Sequence, residues 1–508
     1  MTALFCAVAM TLLLCSCGNG EDVTGQTTTL PVASESDPLT AYGVALTFAY
    51  APGDSMNPYK CDGVLNRTLM PLIYDSLYTL DGSYTPVPVL AASANIDSLT
   101  LTVALNTSAV FSNGKALTSG DAVYSFSLAK ASPAYSSQLL NIASATAVSP
   151  SQVEFKLLRE DIYALNLLTF PIVPESSADS AESVPAGTGR YIHAELDSQK
   201  YLTLNTSSPR FRSTAVRNIM LCPVNENGAQ VYLMRTKKID FLLDSLSSGS
   251  YERISSSYTD AATNNMVYLG LNSITPSSVM THQWVRRAVS AGINTSAIAQ
   301  SAFLGHASAA YAPLNPDFYE LKTDNPPSQS AADILDENGF SSFDSSGTLR
   351  TNGRNSLSLK LIVCKGNAFK ESAAELIKSQ LLACGISVRV AVLESTDFLT
   401  ALTEGNYDMY IGETALPYNM SLGAFCGGST PLSYGIDIQA LSELDDGFHS
   451  GTVSCEAFVN SFRELSPFVP LCFRKGVAYY SGGAGSVKAL CCDAFANIHE
   501  WELPSAAE

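Results

Sequence analysis

The sequence predicts a mixed α/β fold with more than one domain-sized core. Three observations carry this prediction. The chain has 508 residues, whereas single hydrophobic cores stop growing at about 250–300 residues. Residues 98–128 read as an alternating strand followed by a helix. Residues 357–392 read as a strand, an amphipathic helix and a second strand, the βαβ unit of a mainly parallel sheet covered by helices.

The first of these segments begins with a half-buried strand, because Ser98 to Leu105 alternates apolar and polar residues. Asn113-Gly114 supplies residues that tolerate positive φ in a tight turn. Thr118 or Ser119 can cap the next helix, with Asp121 in its first turn near the positive end of the helix dipole. The segment therefore predicts a strand, a turn and a capped helix.

The second half of the chain repeats the alternation of strands and helices. Leu357 to Val363 predicts a strand, and Ala368 to Ala383 predicts an amphipathic helix that Gly385 ends. The elements expected next are a strand over 386–392, a short helix over 395–402, a strand over 409–411 and a loop over 412–419.

The N-terminus carries the features of an export signal. Leu4 to Leu14 is an apolar run too short to span a bilayer as a helix, so it predicts the core of a signal peptide. It ends in Leu14-Cys15-Ser16-Cys17, which resembles a bacterial lipobox with Cys17 as the lipidated residue. The alternative is an ordinary signal peptide with an incidental cysteine. We expect residues 1–17 to be a lipoprotein signal peptide.

Residues 18–40 are polar and rich in Thr and Ser, so they cannot bury enough apolar surface to fold and predict a flexible tether. Two acyl chains on Cys17 would suffice for stable anchoring. The expected location is extracytoplasmic, with the chain lipid-anchored to the bacterial cell membrane.

Composition limits the classes of partner and activity. The formal net charge is −18 and the sequence pI is near 4.7, which argues against nucleic acid as a partner. The 5 histidines lack metal-ligand spacing, and no HExxH, GxSxG or GxxxxGKS/T motif occurs. We predict no catalytic residue, no metal site and no cofactor. The cysteines beyond Cys17 are odd in number without CxxC spacing, so no disulfide pairing follows, and buried free thiols are the expected state.

Several short motifs occur in a fixed order. Tyr74-Asp75-Ser76-Leu77 is followed by Pro88-Val89-Leu90-Ala91 and by Phe111 to Phe126, FSNGKALTSGDAVYSF. This series resembles the signature of extracellular solute-binding protein family 5, the oligopeptide-, dipeptide- and nickel-binding receptors of ABC importers. Gly187-Thr188-Gly189-Arg190-Tyr191 is similar to the Gly-Thr-Gly-Pro-Tyr element of that family, with Arg190 in place of the proline.

The resemblance implies a periplasmic-binding-protein-like fold of the cluster C type, in which two hinged lobes are accompanied by an extra subdomain in the first lobe. The chain would enter, leave and re-enter lobe I. The expected limits are 41–61, 187–265 and 474–508 for lobe I, 62–186 for its extra subdomain, and 266–473 for lobe II.

The resemblance also implies a function. The chain would be a monomeric, non-enzymatic substrate-binding lipoprotein that captures an oligopeptide or similar polar solute between its lobes and delivers it to the permease subunits of an ABC importer. Lobes joined by hinge strands close on ligand by rigid-body rotation. In peptide receptors of the family, the bound peptide is extended and pairs with protein strands through its backbone.

The same resemblance places the ligand-binding residues in loops near the hinge. For any single residue among them, a place in the core is an equally good interpretation. The candidates are Tyr50, Ala51, Pro52, Gly53, Asp54, Tyr135, Tyr268, Gly270, Asn272, Glu413, Thr414, Ala415, Leu416, Tyr418 and Phe473.

One segment departs from the family. Peptide receptors show Gly-Trp-x-Ala-Asp-Tyr where this chain shows GETALPY from Gly412 to Tyr418. Leu416 stands at the position of the aspartate that captures the peptide ammonium, and leucine cannot pair with a cation. Glu413 or Asp54 would have to supply the carboxylate, or the ligand has no free amino terminus.

Other functions stay open at this point. A receptor for a metal or metal chelate on the same fold is one alternative, since nickel-binding relatives use few direct protein ligands. A receptor that feeds a signalling system is another. An enzyme is a third, although no sequence motif supports it.

Overall fold

The computed structural model describes residues 46–502 except 182, 226–227, 428–430 and 482–486. The predicted signal peptide with Cys17 and the predicted tether over 18–40 lie outside the described residues. Within the described part, no helix combines the length and the apolar character that crossing a membrane requires.

The described residues form strands and helices throughout the chain. The strands are β1 (Leu46–Tyr50), β2 (Tyr78–Leu80), β3 (Pro86–Pro88), β4 (Ala91–Asp97), β5 (Thr100–Leu105), β6 (Ile142–Ser149), β7 (Gln152–Leu157), β8 (Tyr191–Leu196), β9 (Gln199–Leu204), β10 (Asn218–Pro223), β11 (Phe241–Asp244), β12 (Ser257–Leu271), β13 (Ala307–Ala309), β14 (Ser342–Phe343), β15 (Arg350–Thr351), β16 (Ser358–Cys364), β17 (Ser387–Leu393), β18 (Met409–Ala415) and β19 (Phe468–Tyr480). The α-helices are α1 (Val64–Ile73), α2 (Ser119–Ala131), α3 (Ala229–Arg235), α4 (Gln283–Ala291), α5 (Thr295–Ala297), α6 (Ala331–Glu337), α7 (Ala368–Ala383), α8 (Ser395–Glu404), α9 (Ile438–His449) and α10 (Cys455–Leu465).

One mixed sheet runs through the molecule in the order β17-β16-β18-β12-β19-β11-β1-β10-β9-β8, with β13 on β19. We call β11, β1, β10, β9 and β8 the first half-sheet, and β18, β16 and β17 the second half-sheet. The long strands β12 and β19 connect the two, since β12 pairs with β18 and β19 pairs with β11. A separate four-stranded sheet, β4-β5-β7-β6, is called the small sheet.

Pairing between β12 and β19 is interrupted midway. The register runs from Ser257 to Ala261 on β12, shifts, and resumes at Asn265. Such irregularities bend a strand and re-aim its side chains. The two half-sheets therefore meet at a bend in their shared strands.

The βαβ unit predicted in the second half is confirmed in place and direction. α7 spans the predicted residues, Gly385 ends it with φ of 85°, and β16 pairs in parallel with β17 and β18. The expectation of a mainly parallel sheet is wrong for the large sheet as a whole, because β12 and β19 pair antiparallel with their neighbours. The loop predicted from 412 is also shorter, since β18 continues to Ala415 by pairing with Asn265.

The strand and capped helix predicted after residue 98 are confirmed. α2 begins after Thr118, whose amide donates to Asp121 Oδ2 at 2.8 Å in a capping box. Asp121 also accepts the amide of Glu175 at 2.8 Å. One carboxylate thus orders the start of α2 and fastens a distant loop to it.

The glycines of the Gly187-Thr188-Gly189 motif allow a close approach of two backbones. A Cβ atom on Gly187 would lie 1.8 Å from the carbonyl oxygen of Ile73, and one on Gly189 would lie 2.4 Å from its carbonyl carbon. The amide of Gly189 donates to that carbonyl oxygen at 2.9 Å. The motif packs β8 onto the end of α1, which no larger residue permits.

A buried ion network holds the C-terminal segment against the same region. Arg190 binds Asp493 at 2.8 Å, and Arg210 binds both Asp493 at 3.0 Å and Asp75 at 2.6 Å. Burial lowers the pKa of the Arg190 guanidinium, and the Asp493 charge opposes that shift. Two cations and two anions compensate each other, so burial of each depends on the others.

A second polar cluster joins the chain after the small sheet to α9. Asp161 accepts the Asn419 side-chain amide at 2.7 Å, while Arg159 binds Asp445 at 2.9 Å and Asp446 at 2.6 Å. Asp161 and Asp445 are both buried. The cluster fixes the small-sheet region to the second half-sheet region.

His449 lies between acceptors on both sides. Its Nδ1 is 2.8 Å from the carbonyl oxygen of Asp445 and 3.3 Å from the Asp445 carboxylate, and its Nε2 is 3.0 Å from the carbonyl oxygen of Asn419. Each ring nitrogen therefore has to donate, which requires the imidazolium. Burial lowers the pKa of His449, but the charges of Asp445 and Asp161 and the hydrogen bonds to Asp445 together outweigh burial and raise it to about 9.

Asp493→Asn should destabilise the protein strongly. It leaves Arg190 buried beside a neutral group, and breaking a buried pair costs about 3 kcal/mol or more. The matched control is Glu394→Gln at the exposed pair Lys365–Glu394, which should cost at most about 1 kcal/mol. Urea unfolding monitored by circular dichroism measures both losses, and equal losses would contradict the network's role.

His449→Gln should remove a pH dependence of stability. The folded-state pKa near 9 lies above the unfolded value of about 6.5, so His449 stabilises fully below pH 6.5 and this contribution is lost as pH rises through 9. Melting temperatures from pH 6 to 9.5 should fall more steeply for wild type than for the variant. Parallel profiles for the two proteins would refute the charged imidazolium, and His499→Gln, at a more exposed ring, should match wild type.

Candidate functional site

A cavity of about 380 Å³ lies at the bend between the two half-sheets. Its volume is in the range of small-molecule sites, about 300–1,000 Å³. Its walls come from many separate parts of the chain. The largest contributions come from α1, residues 134–139, residues 167–171, the interrupted part of β12, the end of β18 with its following loop, and residues 489–494.

The wall is mainly apolar with a few polar groups among the apolar side chains. Val64, Pro71 and Leu243 contribute apolar surface, while Gln138 and Asn265 contribute side-chain amides. This composition is typical of ligand sites, in which apolar contact gives affinity and a few polar groups fix orientation.

The interrupted part of β12 is held open by specific partners. The carbonyl oxygen of Thr263 accepts the Tyr84 hydroxyl at 3.0 Å, and that of Asn264 accepts the Leu416 amide at 2.9 Å. The Asn264 side-chain amide donates to the carbonyl oxygens of Leu416 and Pro417, both at 3.0 Å. These backbone groups of β12, which do not pair with β19, thus have other hydrogen-bond partners. The same bonds fix the loop after β18 at the cavity.

Four of the residues predicted from the family resemblance line this cavity: Tyr135, Ala415, Leu416 and Tyr418. Ala415 is exposed, whereas the Leu416 side chain is 1% exposed. The Tyr418 amide donates to Gln138 Oε1 at 2.9 Å, and its hydroxyl donates to the Cys491 carbonyl oxygen at 3.2 Å. Tyr418 therefore bridges two opposite walls.

The predicted loop from Tyr50 to Asp54 lies outside the cavity wall. Asp54 accepts amide hydrogens from Ser55 at 2.8 Å, Asp62 at 3.0 Å and Gly63 at 2.8 Å. Burial raises its pKa, but these bonds outweigh burial and lower it. Asp54 closes its own loop. Of the remaining predicted loop residues, Ala51 is tied to the Asn66 amide, while Pro52 and Gly53 are exposed.

Tyr268 and Gly270 belong to the packing between β12 and β18. Gly270 faces the ring of Tyr410 and Gly412 faces the ring of Tyr268, so that a Cβ on either glycine would lie within 2.4 Å of the ring. Asn272 donates to the carbonyl oxygens of Gly405 and Tyr407. These candidates, together with the buried Phe473, are outside the cavity wall.

Glu413 also lies outside the cavity wall, with its neighbour Thr414. Its carboxylate binds Arg474 Nε at 2.6 Å and Lys370 Nζ at 2.8 Å. Burial raises the pKa of Glu413, but the two nearby cations outweigh burial and hold it below its ordinary value. Glu413 therefore forms ion pairs with Lys370 and Arg474 outside the cavity. It does not replace the carboxylate that is absent at Leu416.

Sequence reasoning missed three charged residues of the wall: Arg67 on α1, Arg210 and Asp493. Arg210 and Asp493 belong to the buried ion network described above. No local motif marks these residues, because they come together only through contacts between segments far apart in the chain.

The wall also carries two adjacent thiols, Cys491 and Cys492. The hydrogen bond between them raises the pKa of Cys491 and lowers that of Cys492. Thr79 Oγ1 is 3.5 Å from Cys492 Sγ. The nine cysteines in the described ranges are free thiols, but only Cys61 and Cys472 are buried, whereas most were expected to be.

The described residues contain no group of three or more His, Cys, Asp or Glu side chains placed to hold a metal ion.

One family profile matches the chain. The profile of the bacterial extracellular solute-binding proteins, family 5 Middle, matches residues 85–427. No curated protein sequence matches the chain significantly.

Solved structures match along nearly the whole chain. NikA from Brucella suis in complex with Fe(III)-EDTA is similar with a TM-score of 0.64 and 16% identity, covering 90% of this chain and 100% of that one. The oligopeptide-binding protein AppA from Bacillus subtilis in complex with a nonapeptide is similar with a TM-score of 0.56 and 18% identity. The match covers 91% of this chain and 99% of that one. DppA from Helicobacter pylori in complex with the peptide STSA is similar with a TM-score of 0.54 and 17% identity. The match covers 91% of this chain and 98% of that one.

At these identities the structural matches establish the fold, which is the predicted periplasmic-binding-protein fold of family 5 substrate-binding proteins. The family profile spans more than half of the chain. The chain therefore belongs to the bacterial extracellular solute-binding proteins of family 5, the substrate-binding components of ABC importers.

Proposed function

We propose that this chain captures oligopeptides in the cavity between its half-sheets and delivers them to the permease of an ABC importer. The observation that carries the proposal is the cavity itself, which lies where β12 and β19 pass from one half-sheet to the other. Ligand sites lie preferentially at such junctions between domains.

The domain limits predicted from the sequence are part of this proposal. β12 and β19 are the strands through which residues 266–473 would join the rest of the chain as lobe II. A bend between two rigid half-sheets suits a hinge that opens and closes the cavity. Closure would bury the solute and present both lobes to the permease.

An extended peptide suits a wall that contains strand backbone. The lining includes the end of β18 and the interrupted part of β12. Backbone groups of such segments can pair with a peptide backbone, which gives affinity with little selectivity for side chains.

We also propose that the mature protein is a monomer held at the outer face of the cell membrane by lipid on Cys17. The Leu14-Cys15-Ser16-Cys17 sequence supports the lipid anchor.

Labelling growing cells with a radioactive or alkyne-tagged fatty acid tests the lipid anchor, because Cys17→Ser should abolish incorporation.

Peptides should stabilise the folded protein. A ligand that binds only the folded state at 100 times its Kd adds about 2.7 kcal/mol. We expect a mixed pool of di- to hexapeptides to raise the melting temperature of wild type. Ala415→Trp should abolish this shift, because Ala415 is exposed on the cavity wall and indole would fill the space.

The matched control is Ala147→Trp, an exposed alanine on β6 that is outside the cavity wall. It should retain the full shift. The peptide proposal fails if no pool shifts wild type, and a shift by Fe(III)-EDTA or another metal chelate alone would replace peptide by chelate as the solute.

A further inference from the structure

The charges on the cavity wall do not balance. Among the described lining residues, the charged side chains are Arg67, Arg210 and Asp493. Arg210 and Asp493 bind each other, and each has a further partner in Asp75 or Arg190. The wall is thus left with the positive charge of Arg67.

Arg67 is only partly bound by the protein. Its Nη2 donates to the carbonyl oxygen of Asp62 at 2.7 Å and contacts that of Cys61 at 3.5 Å. Its Nε is buried without a hydrogen-bond partner in the described part of the chain. A buried donor without a partner is rare in folded proteins, and one common explanation is a group that binds there.

The carboxylates that could receive an ammonium are already engaged. Asp493 is bound by two arginines, and Glu413 is bound by Arg474 and Lys370 outside the wall. The position equivalent to the ammonium-binding aspartate is Leu416, with a buried side chain. A cationic ligand group would meet no free anion among the described lining residues.

We propose that Arg67 is the specificity-determining residue of this cavity and binds a carboxylate of the solute, so that recognition needs no free amino group. A guanidinium presents donors in a planar fork that matches a carboxylate. This inference rests on the proposed function only in taking the cavity to be the solute site. For a peptide, its C-terminal carboxylate would lie against α1.

The test compares end groups. Four synthetic tetrapeptide pools of identical composition are titrated by calorimetry: free at both ends, N-acetylated, C-amidated, and blocked at both ends. The N-acetylated acids should bind as well as the free peptides. Both amidated pools should bind about ten- to a hundredfold more weakly, since a hydrogen bond to a charged group is lost.

Arg67→Gln should bring the acid pools down to the affinity of the amidated pools. Arg212→Gln is the matched control, because it removes the same charge from an exposed arginine that is outside the cavity wall. The control should keep the wild-type preference. Circular dichroism melting of both variants establishes that they fold.

The outcomes separate this inference from the proposed function. Peptide binding that is indifferent to amidation or to Arg67→Gln overturns the inference and leaves the proposed function standing. If no peptide binds but citrate or Fe(III)-EDTA does, and Arg67→Gln abolishes it, the inference holds and the peptide proposal fails. If neither peptides nor these carboxylates bind wild type, both are overturned.

Discussion

The pairing of β12 with β19 is the constraint on which the rest of the structure depends. These strands pair with each other at both ends, but the register shifts between Ala261 and Asn265. Buried backbone groups released from a ladder need other partners. Tyr84 and Leu416 supply them from distant parts of the chain, and this requirement draws those segments to the bend. The cavity is the space that remains among them.

Compensation of buried charge decides which groups remain available to a ligand. Buried ionic groups are tolerated only when they are paired and hydrogen-bonded. Asp493 and Glu413 satisfy this condition with two cations each, and Asp54 satisfies it with backbone amides. Glu413 and Asp54, the two carboxylates that the family resemblance suggests for binding, are therefore used to stabilise the fold.

The sequence predicts well what depends on neighbouring residues. The capping box of Thr118 and Asp121, the length of α7 and the stop at Gly385 are local signals, and the structure has all three. The ordered motifs also predict the family and its fold. What could not be predicted depends on pairing between distant segments: β18 extends to Ala415 because β12 lies beside it, and the early loop at Asp54 closes on itself. Of the candidate site residues, Ala415 and Leu416 pair with the bend and line the cavity, whereas Tyr268 and Gly270 lie in the packing between strands.

The contribution of residues 489–494 to the cavity wall has a consequence for biogenesis. During synthesis, α1 and the β12 bend precede Cys491 and Asp493 in the chain. Before residues 489–494 are synthesised, Arg190 and Arg210 lack their shared counter-ion Asp493, and one side of the cavity is missing. The complete cavity therefore forms only after residues 489–494 have joined the fold.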